Sequence, residues 1–328
     1  MHQRPTWPDL NRAVPPGGYA WWYLDALSDD GRHALVAIVF VGSVFSPYYA
    51  RARARDPAGA VAERHVAINV ALYTPGGGPG ARWAMTERSA GALRRSADTL
   101  AIGPSRLHWD GQTLVLDLDE RCTPLPRRLR GRVRLHPRAL GAEAPLALEA
   151  AGAHQWWPIA PCARVEVDLS EPGWHWQGHG YLDSNRGPAP MEQAFDDWQW
   201  ARASLPDGRS AVVYDAHPRG EGASDRGPSR HIALVFDPRG GCVPFDAPPL
   251  QHLPASAWRV PRSQRSEAGS APSVVRTLED TPFYARSLVQ ARWLGQPVLA
   301  MHESLRLDRF RRPIVQAMLP FRMPRRGG

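Results

Sequence analysis

Two distant stretches of this chain follow the same order of motifs, and that repetition restricts the fold more than any other feature. Trp21-Trp22-Tyr23 is followed, eight residues after Tyr23, by Gly31 within DDGRHALV; Trp198-Gln199-Trp200 is followed, eight residues after Trp200, by Gly208 within PDGRSAVV. Arg64-His65 then leads into VAINVALYTPGGG, and Arg230-His231 into IALVFDPRGG. A third match sets Trp109-Asp110-Gly111-Gln112 before TLVLDLDE against Trp293-Leu294-Gly295-Gln296 before PVLAMHE. Three elements in one order at nearly constant offset mark an internal duplication. The offset is domain-sized, so the expectation is two similar domains, 1–150 and 151–328, joined through the alanine- and glycine-rich stretch at 147–153.

Each copy reads as β structure. Short runs rich in Val, Ile, Leu and aromatic residues end at Asp-Gly or Gly-Gly turns. LVLDLD at 114–119 alternates apolar with polar residues, as a half-buried strand does. The 33 prolines and 29 glycines break the chain throughout and oppose long helices. The best helical candidate is residues 191–198, MEQAFDDW, and the polar stretch 264–273 reads as a loop. The expected class is all-β, two tandem antiparallel barrels or sandwiches.

The 40 basic residues are all arginine. A net charge of +8 and a pI near 10 draw the chain toward anionic surfaces, nucleic acid or lipid head groups. The arginines are scattered and no nucleic-acid motif is present, so nucleic acid is not an expected partner. Local clusters at 127–130, 309–312 and 325–326 are candidates for peripheral membrane contact. The first twenty residues lack the apolar core of a signal peptide. The longest apolar run, 34–45, is shorter than the ~20 residues that span a bilayer. Cys122, Cys162 and Cys242 form no CxxC pair and no metal spacing, so reduced thiols and a cytoplasmic chain are expected.

Residues 154–200 are where chemistry concentrates. They hold His154-Gln155-Trp156-Trp157, then Trp174-His175-Trp176, then GYLDSNRG from Gly180 to Gly187, and close on Trp198 and Trp200. Taken singly, most of these tryptophans read as core. If 179–183 is a strand, however, Tyr181 and Asp183 share a face, and so do His154 and Trp156 on theirs. An aspartate on an apolar strand face is costly unless paired or protonated. Asn185 and Arg186 read as the turn that follows, with a capping role. His154, His175 and His179 fit no zinc spacing, and no metal site is expected. Asp29-Asp30 reads as turn chemistry, and GGGPG at 76–80 lacks the Lys-Ser/Thr of a phosphate loop. No such cluster stands out in the first copy, so the chemistry is expected in the second domain.

The strings WWYLDALSDDG, VGSVFSPYYA, GYLDSNRG and FDDWQWARA resemble the carotenoid 1,2-hydratases, also called hydroxyneurosporene synthases. The resemblance runs from about Gly17 to about Leu319. It implies two lipocalin-like β-barrels and a cofactor-free lyase. Such an enzyme hydrates the terminal C1–C2 double bond of acyclic carotenoids such as neurosporene or lycopene, giving a tertiary alcohol at C1. It implies Asp183 as the acid, with Tyr181, His154 and Trp156 as companions. Trp176, Asn185 and Trp198, from the same aromatic region, are candidates for substrate contact. The implied setting is the cytoplasmic face of the photosynthetic membrane, with an acyclic carotenoid and water as the molecules met.

That chemistry explains the residue types. Hydrating a trisubstituted alkene places a proton on C2 and a cation at C1, and alkenes are weak bases, so the acid must be held protonated and aimed. A free aspartate, with a pKa near ~3.9, is ionised at neutral pH; burial beside a polyene raises that value. Aromatic faces, here Trp156 and Tyr181, stabilise a desolvated cation by on the order of 2 kcal/mol. His154 has two possible tasks, a hydrogen bond to Asp183 or acceptance of the proton from attacking water. Two other readings share these residues: a lipocalin-like carrier without chemistry, and a hydratase of shorter terpenes.

Overall fold

The apolar runs form antiparallel ladders, as their patterning requires. The structure, a computed structural model, describes residues 9–74, 80–141, 144–220 and 229–326. The glycine-rich string at 76–80 lies almost wholly outside the described residues.

The chain first lays down β1 (Tyr19–Ser28), β2 (Ala34–Val41), the helix α1 (Pro47–Arg55), β3 (Val66–Tyr73), β4 (Arg82–Arg88), β5 (Leu93–Arg95), β6 (Thr99–Ile102), β7 (Ser105–Trp109) and β8 (Leu114–Arg121). Then come β9 (Arg128–Pro137), β10 (Leu146–Ala147), β11 (Gln155–Glu171) and β12 (Trp174–Gly187). After α2 (Met191–Ala194) follow β13 (Phe195–Ser204), β14 (Ser210–Pro218), β15 (Arg230–Phe236), β16 (Cys242–Pro244), β17 (Leu250–Leu253), β18 (Arg262–Arg265), β19 (Ser273–Asp280), β20 (Tyr284–Trp293) and β21 (Gln296–Arg306). The chain ends in α3 (Leu307–Phe310), α4 (Pro313–Arg322) and the short β22 (Arg325–Arg326).

These elements form two compact units. One comprises Met1–Leu146, His154–Pro190 and Ala317–Gly328; the other comprises Ala147–Ala153 and Met191–Gln316. The first holds a 13-stranded sheet in the order β22-β4-β3-β2-β1-β12-β11-β9-β8-β7-β6-β5, with β10 beside β11. The second holds a seven-stranded sheet, β16-β15-β14-β13-β21-β20-β19, and the pair β17-β18. The all-β, lipocalin-like class expected from the sequence is the class found.

The expected division at 150/151 is corrected. β11 and β12, the strands of the aromatic cluster, belong to the first sheet, because β12 pairs along all ten residues of β1. Ladder pairing over that length outweighs proximity in sequence to the second copy. The third sequence match is also placed differently in the two sheets. β20 and β21, joined at Trp293-Leu294-Gly295-Gln296, stand beside β13, whereas in the first sheet the place beside β1 is held by β12 and β11, not by β7 and β8. Residues 195–198 are strand rather than helix, since Phe195 and Asp197 already pair with Pro218 and His217.

β2 and β3 read as continuous apolar runs and are buried along their whole length, the pattern of strands covered on both faces. One face carries the main apolar core, including Trp22, Leu24, Leu35, Val39, Ile68, Val70, Leu135 and Leu182. Each such fully buried side chain contributes roughly 1.5–3 kcal/mol. The opposite face of the same strands carries the polar and aromatic residues that follow. Among the described residues no helix is long and apolar enough to cross a membrane.

Candidate active site

Register decides which residues meet. β1 and β12 pair without a slip from Tyr19↔Gly187 to Ser28↔Gly178. Side chains alternate along a strand, so Tyr19, Trp21, Tyr23 and Asp25 share one face with Gly187, Asn185, Asp183 and Tyr181. The consecutive tryptophans therefore part company, Trp22 entering the apolar core and Trp21 the polar-aromatic face. On the other side of β12, β11 sets Trp156 against Asn185 and Pro158 against Asp183. Two rungs cross three strands, Trp21–Asn185–Trp156 and Tyr23–Asp183–Pro158.

Asp183 is 3% exposed, and Tyr181 and Trp156 are fully buried. The Trp156 indole Nε1–H donates to Asp183 Oδ2 at 2.7 Å, and the Tyr181 hydroxyl donates to the same oxygen at 2.8 Å. Both donors are neutral. Burial, followed by the charge of Asp183, holds the Tyr181 phenol well above its ordinary pKa; the charge of Asp25 adds to the effect. Tyr181 thus remains a donor at any physiological pH. Two donors on Oδ2 leave Oδ1 as the oxygen that carries the proton when the carboxyl is neutral, and they stabilise the carboxylate when the proton has left.

His154 sits one residue before β11, 3% exposed, with its Nδ1 2.9 Å from the Tyr19 hydroxyl. The two rings stack at 5.7 Å, and Tyr19 stacks on Trp21 at 5.0 Å. Gly187 makes the approach possible. A Cβ there would lie 2.4 Å from His154 Nδ1 and 3.0 Å from the Tyr19 ring. Tyr23 meets Tyr181 edge-on at 6.4 Å. Asp25, fully buried, stands opposite Tyr181.

The structure therefore brings together Asp183, Tyr181 and Trp156, with Asn185 on the same face, and sets His154 beside Tyr19 at the Gly187 rung, four positions along the strand from Asp183. Asn185 and Arg186 are strand, not turn, because β12 is paired on both sides to its end. Asn185 is 4% exposed and its Nδ2 makes no hydrogen bond to the described residues. Arg186 donates to Gln155 Oε1 at 2.8 Å, and burial lowers its pKa. Trp176 is not on this face. Its even position turns it to the opposite side of β12, where it packs against the apolar core and stacks with His33 at 6.3 Å. Trp198 lies in the second unit, against Phe195 and Tyr214. His175 pairs with Asp168 at 2.9 Å and His179 lies 3.9 Å from Asp29, both away from His154.

The cluster was expected from the second copy alone; β1, from the first copy, sets Tyr19, Trp21, Tyr23 and Asp25 on the same face as Asp183. The signal was visible as Y-x-W-x-Y-x-D, a period-two run of aromatics ending in an acid. The second sheet offers a control. Its β13–β21 ladder sets Trp200, the counterpart of Tyr23, opposite Glu303, as Tyr23 is opposite Asp183. Glu303 takes an ion pair from the buried Arg286 at 2.8 Å. One copy surrounds its carboxyl with neutral donors; the other neutralises it with a cation.

The sequence profile of the carotenoid hydratase CrtC family matches residues 37–328. The acyclic carotenoid 1,2-hydratase of Thiocapsa roseopersicina is 52% identical over 326 residues, covering 98% of this chain and 76% of that protein. The protein of that description from Rubrivivax gelatinosus is 50% identical over 319 residues, covering 97% and 76%. The one from Cereibacter sphaeroides is 40% identical over 292 residues, covering 89% and 98%. Among solved structures, an AttH protein from Nitrosomonas europaea aligns with a TM-score of 0.57 at 15% identity, covering 93% of this chain and 97% of that one. Kievitone hydratase from Nectria haematococca aligns with a TM-score of 0.50 at 10% identity, covering 93% and 100%. These structural likenesses concern the fold.

Proposed function

We infer the function from one premise, that the chain belongs to the carotenoid hydratase CrtC family. The protein is an acyclic carotenoid 1,2-hydratase, a hydro-lyase that adds water across the terminal C1–C2 double bond. The observation that carries the assignment of the acid is the pair of neutral donors, Trp156 and Tyr181, on one oxygen of the buried Asp183.

In the proposed cycle Asp183 delivers the proton of Oδ1 to C2, and the alkene π electrons form the new C2–H bond. A tertiary cation remains at C1. The carboxylate left behind is met by hydrogen bonds already in place, so the developing charge needs no reorganisation. The faces of Trp21, Trp156, Tyr23 and Tyr181 border the cation and attract it without bonding to it. Water attacks C1, forming the C–O bond, and His154 takes the proton released. That role requires Nδ1–H to point to the Tyr19 oxygen, leaving Nε2 basic. The proton then returns to Asp183. Asn185 Nδ2, on the same face, is assigned to orient the water. No electrons leave the substrate, so the balance calls for no redox group.

An all-hydrocarbon substrate of this length resides in a bilayer, and the protein is proposed to meet it by peripheral contact from the cytoplasmic side. The test of the function is incubation of the purified chain with neurosporene, lycopene and short acyclic terpenes, with products read by mass. A gain of one water on the carotenoids, without added cofactor, is expected. Tight polyene binding with no product would overturn the reading in favour of a carrier, and turnover of the short terpenes alone would move the substrate class.

A further inference from the structure

Of the nine large apolar side chains that are exposed among the described residues, three lie on the ten-residue helix α4: Ile314 at 67%, Met318 at 38% and Phe321 at 81%. Their spacing of four and seven residues puts them within about 60° of one another around the helix. Val315, 100° away from Ile314 at about 100° per residue, turns inward and is buried. α4 therefore presents an apolar stripe outward rather than toward the core. Its C-terminal end is fixed: Thr123 Oγ1 donates to the Arg322 carbonyl at 2.8 Å, and the Arg322 guanidinium stacks over Trp83 at 4.2 Å. The same loop carries Leu125, 61% exposed, followed by the exposed Arg127 and by Arg128, which pairs with Asp119.

The charge around the stripe has one sign. Residues 309–326 contain six arginines and no carboxylate. Arg325 is engaged by Glu87 and His65, but Arg311, Arg312 and Arg326 are exposed. An apolar stripe a few residues wide, on a segment whose charged residues are all arginine, matches the boundary between acyl chains and anionic head groups. A second protein surface would need carboxylates facing the arginines and a hollow for Phe321.

We propose that α4, with Leu125 beside its end, is a docking face for an anionic lipid bilayer, with Ile314, Met318 and Phe321 as the inserted side chains. It rests on the proposed function only for its purpose, access to a bilayer-dissolved polyene. The face is distinct from the Asp183 cluster, so its loss leaves the chemistry intact.

The test is sedimentation of the full chain with vesicles of phosphatidylglycerol and phosphatidylcholine, and with phosphatidylcholine alone. The wild type is expected to pellet with the anionic vesicles, less with the neutral ones, and less as salt is raised. The triple variant Ile314→Ser, Met318→Ser, Phe321→Ser is expected to lose about tenfold or more in partitioning, since insertion scales with buried apolar area. Its turnover of detergent-dispersed carotenoid is expected to be unchanged. Equal sedimentation of the two proteins, or none by the wild type, would overturn the proposal. So would a wild-type dimer in solution that the triple variant converts to monomer, which makes the stripe an interface between copies. Absence of turnover in detergent by the wild type would overturn the hydratase reading and leave the vesicle result standing.

Discussion

Tyr19 and His154 are 135 residues apart in sequence, yet the tyrosine hydroxyl lies 2.9 Å from the imidazole Nδ1, across a strand position that only glycine leaves open. β1 and β11 are not neighbours; β12 runs between them, and Gly187 is the rung they reach over. Any side chain at 187 would separate the pair. Gly187→Ala is therefore expected to lower kcat by about tenfold or more through displacement of His154. In a His154→Ala background the same substitution is expected to add little. A double-mutant cycle on turnover checks the coupling.

Tyr19→Phe removes the acceptor for Nδ1–H while keeping the stack on Trp21. Both tautomers of His154 then become accessible, and only the one with a bare Nε2 takes a proton from water. The expected outcome is a fall in kcat with KM little changed, read in steady-state kinetics on detergent-dispersed carotenoid. Unchanged kcat would remove His154 from the role of base.

Asp183→Asn keeps the shape and still offers an oxygen to Trp156 and Tyr181, but it has no proton to give to an alkene. Turnover is expected to vanish while near-ultraviolet circular dichroism and thermal midpoint stay close to wild type. Tyr181→Phe and Trp156→Phe each remove one donor from Oδ2, where charge develops. Each is expected to cost about 10²–10³ in kcat, the usual scale for one donor to a developing oxyanion.

His302 in the second unit is fully buried, donates Nε2–H to the Ser263 carbonyl at 2.9 Å, and has its pKa lowered by burial from 6.5 to about 4. The unfolded chain takes up a proton near pH 6.5 and the folded chain does not until about pH 4. Stability is therefore lost as pH falls through that window, by about 3 kcal/mol in all, and levels off below it. His302→Gln, which keeps a donor for Ser263, is expected to flatten this part of the stability profile measured by urea unfolding.

Arg286 and Glu303 occupy the second sheet's equivalent of the Asp183 rung. Arg286→Met would leave the largely buried Glu303 and Glu279 without this cation and is expected to destabilise the fold by roughly 3–5 kcal/mol. Pairing it with Glu303→Met is expected to recover much of that loss. Denaturant midpoints of the wild type and the two variants decide the matter.

Much of this was legible in the residues. The duplicated W-x-aromatic and Asp-Gly-Arg motifs announced paired β units, and period-two spacing put Tyr181 with Asp183 on one face. β1 was misread because its aromatics also serve as the marker of the duplication, and nothing local distinguishes Trp21 from Trp22. α4 was missed because Pro313 and Pro320 read as breakers, although Pro313 opens the helix and the arginines around it drew attention to charge alone.

The sequence by itself determined the strand-rich class and the family, and it singled out the carboxyl and the aromatic residues proposed for the site. Alternation and turn chemistry are local, and a run of residues carries them without help. What only the tertiary structure decided is which strand stands beside which. Ten residues of ladder between β1 and β12 outweighed nearness in sequence, moved the cluster into the first unit, and set Tyr19 against His154 and Glu303 in the place of Asp183. Strand pairing between distant segments rests on summed hydrogen bonds and on two faces buried at once, and neither is written in any one window of the chain.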